Sequence, residues 1–67
     1  MAVAVFDLES AAERAKARLL AAGVRPERVV VSRAGVCVVT VTAHSASDVR
    51  HIEALMRLEG GRVVGTP

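Results

Sequence analysis

Aromatic side chains are almost absent: Phe6 stands alone, with no Trp and no Tyr among 67 residues. A chain this short makes one domain, spanning 1–67, and with so few large side chains its core is thin. No covalent staple compensates. Cys37 is the only cysteine, which excludes an intramolecular disulfide framework and a Cys-rich zinc knuckle. No apolar run approaches the ~20 residues needed to cross a membrane. The start, Met1 to Asp7, has no basic stretch and meets an acid at once, so it does not read as a secretory signal. A cytoplasmic protein with no membrane partner is the expectation.

What is present is small and apolar. Hydrophobic residues make up 52% of the chain, and Val and Ala together account for 25 positions. With a net charge of only +2, this composition argues against disorder. Nine basic residues face seven acidic ones, and eight of the nine are Arg. Signs alternate along both helix-like stretches, the mark of a solvated surface. The only local excess is Arg25, Arg28 and Arg33, broken by Glu27, and it is the one candidate for a nucleic-acid or glycan contact.

Ala2 to Phe6 is too short for a helix and reads as a strand. Asp7 has the chemistry of an N-cap, and Phe6 is placed to staple onto Ala11. Leu8, Ala11, Ala12, Ala15, Leu19 and Ala22 recur at helical spacing over 8–22, and Gly23 suits the left-handed position after the last turn. Arg28 to Ser32 is a second strand. Arg33-Ala34-Gly35 turns the chain into a third strand, Val36 to about Ala43, rich in Val and Thr. Ser45 and Asp48 cap a second helix over 46–59, with Val49, Ile52, Leu55 and Met56 inward. Gly60-Gly61 stops it, and Arg62 to Gly65 forms a last strand.

The order is β-α-β-β-α-β. With right-handed crossovers it predicts an α+β, ferredoxin-like sandwich: a four-stranded antiparallel sheet, order 4-1-3-2, with two helices on one face. Setting Ser32 opposite Val36 across the hairpin pairs Val31 with Cys37, Val29 with Val39, Val30 with Val38 and Arg28 with Thr40. Val29, Val31, Cys37, Val39 and Val41 then lie under the helices. The uncovered face carries Arg28, Val30, Ser32, Val36, Val38, Thr40 and Thr42, joined from the first strand by Ala2, Ala4 and Phe6, with Val3 and Val5 inward. A solvent face should be polar. A half-apolar one points to contact with a second copy or another partner, and the interface residues expected are Phe6, Arg28, Val30, Ser32, Val36, Val38 and Thr40.

Candidate chemistry is sparse. Cys37 falls mid-strand on the inward face, as a small core residue does. His44, Asp48 and His51, spaced by four and three, are metal-ligand types, but Ser45 as cap would put His44 outside the regular helix. The free amides at the start of the second helix suit an anion, as does any helix start. Sequence-reading RNA domains of this shape stack bases on sheet aromatics, which are lacking here. An acylphosphatase-type site needs an Asn, and the chain has none. No nucleophile–base pair, cofactor motif or catalytic residue emerges, so a non-enzymatic module is expected.

Ala4-Val-Phe-Asp7, Ala11-Ala-Glu-Arg14 and Leu20-Ala-Ala-Gly-Val24 resemble the opening of bacterial general stress protein (17M-type) domains. Arg28 to Arg33, Val38 to Thr42 and Gly60 to Val64 resemble their later strands. The resemblance implies the sandwich fold and a stress-related or regulatory setting, with no defined chemistry. The first helix is also similar to sporulation-related (SPOR) repeats, which implies glycan binding on the exposed sheet face. ACT-like domains, which bind small ligands at subunit interfaces, share the element order.

Overall fold

The computed structural model of the chain describes residues 1–33 and 35–64. Strand β1 (Ala2–Phe6) is followed by helix α1 (Glu9–Ala21), and a single 3-10 turn (Pro26–Arg28) leads into strand β2 (Val29–Ser32). Strand β3 (Cys37–Val41), helix α2 (Ala46–Leu58) and strand β4 (Arg62–Val64) complete the chain. Ala34 of the expected hairpin turn, and Gly65 of the expected last strand, lie outside the described residues.

The four strands form one antiparallel sheet in the order β2-β3-β1-β4; read from the opposite edge, that order is 4-1-3-2. α1 packs over β1 and β3, and α2 over β1 and β4. The result is a small two-layer α+β structure in which the central strands carry the helices.

The helix ends show where local chemistry holds and where it does not. α2 is capped as its sequence suggests: Ser45 Oγ accepts the Asp48 amide at 3.1 Å. α1 is not. Leu8 is still extended (φ −117°, ψ 134°) and offers no side-chain cap, so the helix starts one residue late and Asp7 falls outside the cap position. Its carboxylate accepts instead from Arg62 Nη2 at 3.2 Å. The shift also removes the Phe6–Ala11 staple, since the positions a staple would join are now Asp7 and Ala12.

The hairpin register differs from the expected one by two residues. Val29 pairs with Val41, Val30 with Thr40, Val31 with Val39 and Ser32 with Val38. Arg28 belongs to the 3-10 turn and Val36 precedes β3. Because side chains alternate with period two, a slip of two leaves every residue on its expected face. Val29, Cys37, Val39 and Val41 are buried, and Val31 is half-buried against them.

β1 does flip. Ala4 pairs with Val39 and Phe6 with Cys37, so Ala2, Ala4 and Phe6 share the inner face and are fully buried. Val3 and Val5 face outward. Two close approaches explain the reversal. The helices reach the sheet over the small Ala2 and Ala4, letting Ile52 and Met56 of α2 bury completely. The Phe6 ring lies against Gly61: a Cβ there would stand 2.6 Å from Phe6 Cζ. Burying the one aromatic side chain contributes about 1.5–3 kcal/mol, which no arrangement with Phe6 in solvent recovers.

Candidate functional site

With β1 reversed, the uncovered face is a regular grid. The pairings align Val30, Thr40, Val3 and Val64 in one row across the four strands, and Ser32, Val38, Val5 and Arg62 in the next. Five of the eight side chains are valine and one is charged. Val30 is 59% exposed and Val64 46%; Val3, Val5 and Val38 are half-exposed. Arg62 sits at a corner of the grid, where Asp7 holds its guanidinium. Val36, 49% exposed, lies just before β3.

Of the expected interface residues, Val30, Ser32, Val38 and Thr40 are on this face. Phe6 is in the core. Arg28 turns away to the start of α2, donating from Nε to the Thr42 carbonyl at 2.8 Å and from Nη2 to Asp48 Oδ2 at 3.0 Å. Val3, Val5, Val64 and Arg62 were not anticipated. The available signal was the solitary Phe6: one aromatic in a thin core belongs inside, and the alternation of β1 then turns Val3 and Val5 out.

The other candidates are occupied by their neighbours. Asp48 Oδ2 accepts the His44 backbone amide at 3.0 Å as well as Arg28, and His44 and His51 are both exposed. The His44 amide, then Arg28, holds the Asp48 carboxyl below the ordinary carboxylate range. No cluster of three metal-ligating side chains occurs among the described residues. The same carboxylate sits in the first turn of α2, beside the amides that would otherwise suit an anion.

The Arg25, Arg28 and Arg33 group is dispersed into ion pairs. Arg25 meets Glu27 at 3.6 Å, Arg28 meets Asp48, and Arg33 reaches both Glu9 at 3.6 Å and Glu13. An open groove of about 390 Å³ is lined by Arg14, Ala17, Arg18, Ala21 and Glu59. Its charges satisfy each other: Glu59 accepts from Arg14 Nε at 3.0 Å and from Arg18 Nη2 at 2.7 Å. Those arginines, Arg18 foremost, lower the Glu59 carboxyl from its usual range. Cys37 is a buried free thiol. Among the described residues no helix is long and apolar enough to cross a membrane.

No family model, curated protein or solved structure matches this chain.

Proposed function

We propose that the chain is a non-enzymatic, ferredoxin-like interaction module whose open sheet face is an association surface. The observation that carries this reading is the two-row grid, five valines in eight positions where a solvated sheet face should be polar. Flat, β-branched side chains on a regular lattice pack well against another flat apolar layer. The ion pairs around Arg25, Arg28 and Arg33 support protein over nucleic acid as the partner, because a phosphate would have to displace carboxylates already in place. A reducing cytoplasm suits a lone thiol, and the likeness to stress-protein and ACT-like domains goes with a stress-related or regulatory setting.

Native mass spectrometry of the chain purified from its own host tests the proposal. The expected spectrum holds species heavier than the monomer, which disappear when Val30→Glu is introduced. A monomer alone in that spectrum and at every concentration up to ~1 mM removes the reading.

A further inference from the structure

We infer that the occupant of the open face is a second copy of this chain, related by a two-fold axis parallel to the strands and midway between the two sheets. The inference rests on the reading of that face as an association surface. In this arrangement β1 lies over β3 of the partner subunit and β2 over its β4. Val38 then faces the partner's Val5, Thr40 faces the partner's Val3, and Val30 faces the partner's Val64. Arg62, the only charged side chain of the grid, faces the partner's Ser32, whose hydroxyl accepts a hydrogen bond.

Charge decides between arrangements. A two-fold axis perpendicular to the strands would lay each row over the other, placing Arg62 on the partner's Val64, a side chain that offers the guanidinium no acceptor beyond the Asp7 of its own protomer. With the axis parallel to the strands, the grid's only cation meets an oxygen at an edge, and Asp7 holds the guanidinium from its own protomer. A charged partner would find nothing on the grid to pair with except that corner. A copy of the same face, by contrast, matches valine to valine or threonine at every central position.

Size sets the strength. Four strands make a plate about 19 Å wide and roughly 10–17 Å long, well under the ~800 Å² per partner of a standard interface. The dimer is therefore weak and dissociates on dilution.

Sedimentation equilibrium of the full chain from ~1 μM to ~1 mM, spanning the dissociation range of so small an interface, provides the test. The wild-type mass should rise toward that of a dimer. Val5→Lys and Val38→Asp should each stay monomeric, weakened by more than ~10-fold because each buries an unpaired charge. An equimolar mixture of the two should regain the dimer, since Lys and Asp then meet across the interface. Val30→Glu with Val64→Lys provides a second such pair at the most exposed grid positions, with circular dichroism reporting that each variant is folded. Because Val30 and Val64 lie on opposite edge strands, their charges cannot pair within one protomer.

Rescue by mixing in either pair supports the inference. Single variants that lose the dimer without rescue overturn the arrangement, and heavier species containing a different protein overturn the second copy; both leave the surface reading standing. A wild-type monomer at every concentration and in host-purified material overturns the inference and that reading together.

Discussion

The two faces of the sheet are built from alternate residues of the same strands, yet they meet opposite demands. The inner face sets small residues of β1, Ala2 and Ala4, beneath Ile52 and Met56, and fits its one large ring against a glycine. There, shape decides what is tolerated. The outer face repeats one medium-sized side chain over a nearly flat lattice and, among the described residues, has no covering layer of its own. There, chemistry matters more than fit, because a charge changes what the face can meet without disturbing how the chain folds. A thin core thus coexists with apolar surface left outside it.

The largest effect is expected on the inner face. Phe6→Ala should cost about 3–5 kcal/mol, enough to unfold much of a domain this small; denaturant unfolding measures it. A loss under ~1 kcal/mol would contradict the burial of the ring. Gly61→Ala should cost about 1–3 kcal/mol by driving a methyl into that ring, and the cost should shrink in a Phe6→Leu background. Equal costs in both backgrounds would show that Gly61 is kept for another reason.

On the outer face, Val30→Glu should leave unfolding of the monomer within about 0.5 kcal/mol of wild type while abolishing association. A large loss of monomer stability would erase the contrast between the faces.

The ion pairs at the rim contribute less, and their effect depends on pH. Asp48 and Glu59 both have folded-state values below the ordinary range. Each therefore stabilises the fold above the unfolded carboxylate value and loses that contribution as pH falls through the lower folded value. Melting temperature should drop below about pH 4, and Glu59→Gln should flatten the drop. An unchanged acid profile in that variant would mean that the Arg14–Glu59–Arg18 contact is not formed. The smallest effect expected is none: Arg28→Glu should not alter retention on a nucleic-acid column, and a clear salt-dependent loss would restore the arginine group as a phosphate site.

Much of this was readable along the chain. Ser45, Asp48 and Gly60 mark the ends of α2 because capping is a local matter between neighbouring residues. The inner residues of β2 and β3 could be sorted without the correct register, since an error of two preserves alternation. β1 was misread because Ala-Val-Ala-Val alternates two apolar types, and either parity looks acceptable if bulk alone is counted. The ion pairs were hidden from the sequence for a different reason. Arg28 and Asp48 are 20 residues apart, and Arg14 and Glu59 are 45 apart, so nothing near any of them in sequence announces the pairing.

By itself, the sequence determined the order of elements, the limits of α2 and the scarcity of core that makes an outside partner attractive. These follow from periodicity, capping and composition, all of which act over a few residues. Only the tertiary structure decided which side of β1 faces the helices and which carboxylates the arginines meet. Both depend on contacts between distant segments: Phe6 with Gly61, helix on Ala2 and Ala4, and carboxylates brought to guanidiniums by the closing of the sheet. The surplus of apolar side chains was legible in the composition; its arrangement as two rows of valine on one open face was settled by packing.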